Sequence, residues 1–148
     1  MAYNQPVSSR ILLRARVAQP ATNATLSLAA FTQIDIGSTY ISGSPATNFT
    51  CPYAGHYEVI YDVWACGGGT GLIQVTSTRS ASPVYNQAWI APADCFAGPA
   101  SFVIPNCQVG DVITVQANMN TTGTIVSTIT TTTTQEQARC TIKFYPSF

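Results

Sequence analysis

The most informative part of the sequence is FTCPYAGHYEVIY, residues 49–61. Gly55 follows Pro52 and Tyr53, where the chain must turn sharply into a strand, and glycine adopts backbone angles that other residues avoid. Side chains of the predicted strand alternate between two faces. One face is apolar and aromatic and is expected in the core: Tyr57, Val59, Tyr61 and Val63. The other mixes charge with Ile and Trp: His56, Glu58, Ile60, Asp62 and Trp64.

Short extended segments separated by turn residues recur through the rest of the chain. No segment shows the apolar period of an amphipathic helix over three turns. The segments cover residues 9–17, 25–36, a short piece from Phe49, 55–65, 72–78, 83–90, 101–107, 111–118 and 140–145. About eight to ten short strands of this kind indicate an all-β sandwich or barrel. A Greek-key or jelly-roll β-sandwich, which pairs two antiparallel sheets and so manages their edges, fits this pattern.

The composition fits one compact domain with little charge. The chain has 148 residues, 8% of them charged, and a formal net charge of +0. An average soluble domain is about 25% charged. We expect an arm at residues 1–9 and a single domain at 10–148. A chain with this charge lacks the field that attracts nucleic acid or anionic membranes, so neither is an expected partner.

The N-terminal segment predicts folding without export. Arg10, Arg14 and Arg16 interrupt the apolar run there, so no signal-peptide core is expected, and no stretch is long enough for a membrane helix. We therefore expect folding in a cytoplasm, with release by lysis as the route outside.

The five cysteines include no CxxC pair. Reduced, buried thiols are the favoured interpretation. One or two disulfides with a leftover thiol is the alternative, against which the predicted cytoplasmic origin weighs.

Residues 49–61 resemble the signature of the globular head domain of complement component one, subcomponent q, in the tumour-necrosis-factor-like jelly-roll family. That signature is Phe, five residues, Gly, any, Tyr, any, Phe, any, then Phe or Tyr. Phe49, Gly55, Tyr57 and Tyr61 fall in place, with Val59 where the family prefers Phe. Two further elements are similar: Gly110 and Asp111 before VITV, and the closing segment CTIKFY. The resemblance implies the jelly-roll fold, with the last strand central in its inner sheet.

The resemblance also implies a homotrimer in which the inner sheets meet around a threefold axis. The charge pattern agrees with it, since the basic residues cluster on the first and last predicted strands and two acidic residues lie on the motif strand. These three strands would share one sheet, leaving the remaining surface nearly uncharged. The alternative is solvent-exposed pairs of little energetic weight. The predicted trimer interface comprises His56, Glu58, Ile60, Asp62, Trp64, Arg14, Arg16, Arg139 and Lys143.

No catalytic residues, cofactor or metal are expected. The single histidine, His56, sits in a predicted strand, and no GxSxG nucleophile motif is present. Acidic residues are scattered, with no dense oxygen cluster for calcium. The glycine run at 67–71 lacks the phosphate-loop pattern. A structural or interface role is therefore expected for His56.

The function predicted from these observations is a non-enzymatic, trimeric virion component, specifically a capsid decoration (cement) protein of a bacteriophage head. Its partners would be copies of itself and the major capsid protein or another virion protein. Tyr3 and Pro6 suit an extended capsid-contacting arm, although a frayed terminus is the alternative. Other candidates are a fibre-tip or receptor- or glycan-binding adhesin and a secreted bacterial recognition module. The adhesin would use loop aromatics: Tyr40, Tyr85, Trp89 and Phe96.

Overall fold

The computed structural model describes residues 9–18, 27–28, 30–66, 69–78, 84–91, 96–119, 124–125, 129–130, 135–136 and 138–146. Side chains are described for residues 9–17, 28, 30–62, 72–78, 100–117 and 138–146. These parts of the chain form antiparallel strands and one short 3-10 turn, Ser38–Tyr40. The strands are β1 (Arg10–Ala18), β2 (Ser27–Leu28), β3 (Ala30–Ile36), β4 (Ile41–Ser42), β5 (Asn48–Thr50), β6 (Gly55–Cys66), β7 (Gly69–Ser77), β8 (Val84–Ala91), β9 (Phe96–Cys107), β10 (Val112–Met119), β11 (Thr124–Ile125), β12 (Ile129–Thr130), β13 (Gln135–Glu136) and β14 (Arg139–Pro146).

Two antiparallel sheets contain nearly all of these strands. Sheet 1 has the order β3–β1–β14–β6–β9, with β11 beside the end of β6. Sheet 2 has the order β4–β5–β10–β7–β8, with β2 beside β10, and β12 pairs with β13 separately. This arrangement confirms the predicted jelly roll. It also confirms that the first strand, the motif strand and the last strand are neighbours in one sheet, with the last strand at its centre.

The core lies between the two sheets, and the alternation of the motif strand selects its side chains. Tyr57, Val59 and Tyr61 on β6 are completely buried. Phe49 on β5 is also buried, and its ring makes an edge-to-face contact with Tyr57 at a centroid distance of 6.1 Å. Burial of each such side chain stabilises the fold by roughly 1.5–3 kcal/mol. The Tyr57 hydroxyl donates to the Tyr53 carbonyl at 2.6 Å, which satisfies its polar end.

Gly55 is fixed by a close approach of the neighbouring strand. A Cβ atom at this position would lie 2.6 Å from both the Phe144 ring and the Tyr145 carbonyl oxygen. Any larger side chain would therefore push β14 away from the start of β6. This contact explains physically why the turn into the motif strand carries glycine.

Gly110 and Asp111 form the tight turn between β9 and β10. Gly110 has a φ of 90°, in the left-handed region that glycine favours, and open space surrounds it. The Asp111 Oδ2 atom accepts a hydrogen bond from the Gln108 amide at 2.7 Å, which closes the turn. The Gly-Asp pair thus has a local structural role at the entry to β10.

The segment 25–36 is divided between the sheets, where the sequence predicted one strand. Ser27–Leu28 pairs with β10 in sheet 2, whereas Ala30–Ile36 pairs with β1 in sheet 1. Apolar alternation records which side of a strand is buried but not which strand lies beside it.

Tyr3 and Pro6 of the predicted arm lie outside the described residues. In the part of the chain that the structure covers, no helix is long and apolar enough to span a membrane.

Candidate functional site

The outer face of sheet 1, turned away from the core, carries six of the chain's twelve Lys, Arg, Asp and Glu side chains. Five of the six Lys and Arg residues are on β1 and β14, and Glu58 and Asp62 are on β6. We call this surface the charged face. Its described members are Ile11, Arg14, Arg16, Ile36, His56, Glu58, Ile60, Asp62, Ser101, Val103, Arg139, Thr141, Lys143 and Tyr145.

Glu58 is held by neighbours on both sides within its own chain. Its Oε2 atom accepts a hydrogen bond from the Tyr145 hydroxyl at 2.7 Å, and its Oε1 atom accepts one from the Ser101 hydroxyl at 2.9 Å. The Tyr145 bond, the Ser101 bond and the attraction of Lys143 lower the pKa of the Glu58 carboxyl against the opposing effect of burial. The same bond raises the pKa of Tyr145. Glu58 is therefore a fixed anion at neutral pH.

Asp62 lies in a less favourable environment. Burial raises the pKa of its carboxyl, and the attraction of Arg139 opposes that shift only in part. Arg139 in turn lies directly opposite Arg16 on β1, so two like charges face each other across neighbouring strands. Among the described residues, neither Arg14 nor Arg16 has a carboxylate oxygen within 4.0 Å. This corner of the charged face holds more positive charge than its own carboxylates balance.

Apolar side chains lie between these charges. Val103 is 58% exposed beside Glu58, and Ile36 is 41% exposed beside Arg14. Ile11 and Ile60 are half-buried on the same surface. Exposed apolar side chains and arginines on one sheet face are both features of surfaces that bind another protein.

His56 lies at one end of the charged face, where the last residues of β9 hold its ring. The Asn106 amide donates to His56 Nδ1 at 3.2 Å, and Asn106 itself has a φ of 57°. This hydrogen bond holds the Nδ1 side of the His56 ring against the end of β9. The contact gives His56 a structural role at this edge, and no described acid or nucleophile pairs with it.

The structure brings together eight of the nine side chains predicted for the trimer interface. The ninth, Trp64, pairs in register with Ala97, but its side chain lies outside the described residues. Sequence reasoning missed six members of the face: Ile11, Ile36, Ser101, Val103, Thr141 and Tyr145. Alternation within 100–104 and 139–145 could have found four of them, since the buried residues there are every second one.

The outer face of sheet 2 is uncharged wherever its side chains are described. We call it the neutral face: Leu28, Ser42, Asn48, Thr50, Leu72, Gln74, Thr76, Val112, Thr114 and Gln116. Leu28 is 44% exposed there, so the two faces differ in charge and not in apolar exposure. The hydroxyls of Thr76 and Thr114 hydrogen-bond to each other across β7 and β10. The prediction of a nearly uncharged remaining surface holds for these residues.

The described side chains offer little to the other chemistries considered. They contain no group of three or more His, Cys, Asp or Glu residues placed to hold a metal ion. Of the aromatics considered for a binding platform, Tyr40 packs its ring edge-to-face on buried Phe49 at 6.1 Å. Tyr85, Trp89 and Phe96 have side chains outside the described part of the chain.

Known structures show the same arrangement of strands, although no family model and no curated protein matches the sequence. The globular domain of zebrafish complement 1qA protein superimposes with a TM-score of 0.56 and 11% identity, over 96% of this chain and 98% of that one. PRD1 vertex protein P5 superimposes with a TM-score of 0.59 and 13% identity, over 97% of this chain and 100% of that one. The chain has a tumour-necrosis-factor-like jelly-roll fold. At these identities the likeness establishes the jelly roll and leaves function to the residues of the charged face.

Proposed function

We propose that the chain is a non-enzymatic structural protein of a bacteriophage virion, a trimeric decoration (cement) protein that stabilises the head. The observation that carries the proposal is the charged face, because it combines exposed Val103 and Ile36 with charges that the described side chains compensate only in part. Exposed apolar side chains raise the free energy of the chain in water. A complementary surface that covers them and pairs with the charges lowers it.

A second copy of the same chain is the partner that best fits this face. In a closed trimer, a carboxylate from a sister copy would lie near the opposed Arg16 and Arg139, and a sister cation would lie near Asp62. Desolvation would make each of these pairs costly to break, since an unpaired charge would remain buried. The neutral face would then form the outside of the trimer.

A structural neighbour supports the virion role. A vertex protein is among the structures with this fold and nearly the same extent. The major capsid protein or another virion protein would be the docking partner, with residues 1–9, including Tyr3 and Pro6, as the contacting arm. Localisation would accordingly be the virion.

Sedimentation equilibrium tests the proposed trimer, and a capsid-binding assay separately tests the proposed virion role. We expect a mass of three chains, and we expect Arg139→Ala to weaken the trimer at least tenfold more than the matched truncation Gln116→Ala on the neutral face. Glu58→Ala should also weaken it, with an added folding cost because Glu58 accepts two hydrogen bonds. A single-chain mass at every concentration would refute the trimer. Failure to co-sediment with phage heads would refute the decoration role alone.

A recognition module is the second candidate, because the globular domain of complement 1qA protein shares this fold over nearly its whole length. It includes a fibre-tip or receptor- or glycan-binding adhesin and a secreted bacterial recognition module. Binding to a glycan array or to cells, without binding to phage heads, would favour it. The charged face would remain the trimer interface in that case, so the Arg139→Ala comparison keeps its meaning.

A further inference from the structure

One end of the sandwich brings two distant cysteines to neighbouring backbone positions. The Cys51 amide donates to the Asp111 carbonyl at 2.8 Å, and the Gly110 amide donates to the Cys51 carbonyl at 2.9 Å. Cys107, the last residue of β9, pairs in register with Gly55. Backbone hydrogen bonds therefore fix the segments that carry both cysteines, independently of their side chains.

The two thiols lie close together inside the core. Both cysteines are completely buried, and the Cys107 thiol is a hydrogen-bond partner of the Cys51 thiol. The Cys107 thiol also donates to the Ile104 carbonyl at 3.9 Å, and the Tyr57 hydroxyl hydrogen-bonds to Cys51. Thiols within hydrogen-bond reach of each other need only a modest approach to form an S–S bond of about 2.05 Å.

We propose that Cys51 and Cys107 form a latent intrachain disulfide, present as two thiols in a reducing compartment and converted to one S–S bond by a low-molecular-weight disulfide. One protein thiol loses its proton, and its thiolate attacks the reagent, forming a mixed disulfide and releasing one reagent thiol. The second protein thiolate then attacks the mixed disulfide and releases the second reagent thiol. Two protein thiols are oxidised, and one reagent disulfide is reduced to two thiols.

The environment of the pair makes this reaction slow in the closed fold. The hydrogen bond from Cys51 to Cys107 and the burial of Cys51 hold the pKa of the Cys51 thiol far above its ordinary value. Little thiolate is therefore present. Oxidation therefore requires transient opening of the 51–54 loop or takes place during folding. The cross-link would tie that loop to the end of β9, and it is independent of the trimer and of the virion role.

Cys140 supplies an internal control. It is also completely buried, on β14, where burial raises the pKa of its thiol to about 12. It differs from Cys51 in pairing with Ala15 and Tyr61 on the strands beside it. Neither thiol is accessible to solvent, and Cys51 differs from Cys140 in having a second thiol, that of Cys107, as a hydrogen-bond partner.

The experiment treats the full chain with bis(2-hydroxyethyl) disulfide at pH 8.5, once in the folded state and once during refolding from urea. Denaturation, alkylation and peptide mapping then identify the paired cysteines. We expect a single cross-link between Cys51 and Cys107, with Cys140 alkylated. We also expect a melting temperature about 10 °C higher that dithiothreitol reverses. A cross-link that forms only during refolding also supports the proposal, because burial of the two thiols protects them from the reagent in the folded chain.

Cys140→Ala should keep the cross-link and the rise in melting temperature, whereas Cys51→Ser and Cys107→Ser should each lose both. If either serine variant fails to fold, Cys51→Ala or Cys107→Val replaces it, because these remove the thiol without adding a polar group. Alkylation of both Cys51 and Cys107 after oxidation in both arms would overturn the proposal. So would pairing with other cysteines, or a lower melting temperature of the cross-linked chain.

Discussion

The charged face and the neutral face cover the same core, yet they meet water in different ways. The neutral face carries hydroxyl, amide and a few apolar side chains, and partners such as Thr76 and Thr114 satisfy each other within the sheet. On the charged face, neighbours satisfy Glu58, whereas among the described side chains Arg139 opposes the burial of Asp62 only in part and lies opposite Arg16. The two surfaces therefore differ in charge, and only the charged face carries the proposed trimer contacts.

Val103→Arg gives the largest expected effect, because it adds a cation at an exposed apolar position of the charged face. We expect the dissociation constant of the trimer to rise at least about 100-fold, or about 2.7 kcal/mol, with little change in folding stability. The matched control is Val109→Arg in the β9–β10 turn, where valine is 68% exposed but lies off the face. Equal effects of the two variants in sedimentation equilibrium would remove the distinction between the faces.

Tyr145→Phe tests how far the charged face is stabilised within one chain. Loss of the hydrogen bond to Glu58 should cost about 1 kcal/mol of folding free energy at pH 7. The lowered pKa of Glu58 contributes stability above its ordinary value of 4.5, and that stability is lost as the pH falls through the lower folded-state pKa. In urea denaturation, the folding free energies of the variant and the parent chain should therefore differ at pH 7 and agree at pH 2. An identical loss at both values would show that the bond is not linked to the charge of Glu58.

Asp62→Asn should have a smaller effect, with the opposite sign in folding. A pKa raised by burial means that the charged carboxylate destabilises the fold above its folded-state pKa, and that this cost disappears in acid. We expect the isolated chain to melt about 2 °C higher at pH 7 and unchanged at pH 2. The trimer should dissociate more readily at pH 7, since the sister cation loses its partner. A lower melting temperature in dilute, single-chain conditions would contradict this account.

Thr76→Val is the smallest change and belongs to the neutral face. Valine keeps the shape and removes the hydroxyl bonded to Thr114, whose own hydroxyl is half-exposed and can bind water. We expect a change below about 0.5 kcal/mol, equal at pH 2 and pH 7 and insensitive to salt. Denaturation curves at two salt concentrations measure it. A salt-dependent change would mean that charge acts on the neutral face after all.

Local alternation in the sequence was enough to predict the two sides of the motif strand. Tyr57, Val59 and Tyr61 entered the core, and Glu58 and Asp62 faced outward, because the side-chain period of a strand fixes this outcome once one face is apolar. The resemblance then grouped the right strands into sheet 1. These two pieces of information carry most of the fold.

Register between strands could not be predicted from alternation. The opposition of Arg16 and Arg139 depends on how β1 and β14 align, including an irregularity between Ile11 and Leu13. The hydrogen bond from Ser101 to Glu58 likewise depends on the alignment of β6 and β9. The sequence therefore indicated which charges share a surface, but not which of them are satisfied.

The position of β14 has a consequence for how the chain is made. This strand bonds β1 on one side and β6 on the other, although it is synthesised long after both. On the ribosome, the facing edges of β1 and β6 must wait without each other's bridging strand, as two open edges that other nascent chains can pair with. Completion of sheet 1 requires β14 to insert between two strands that are distant from it in the sequence, and long-range pairings of this kind slow folding in general.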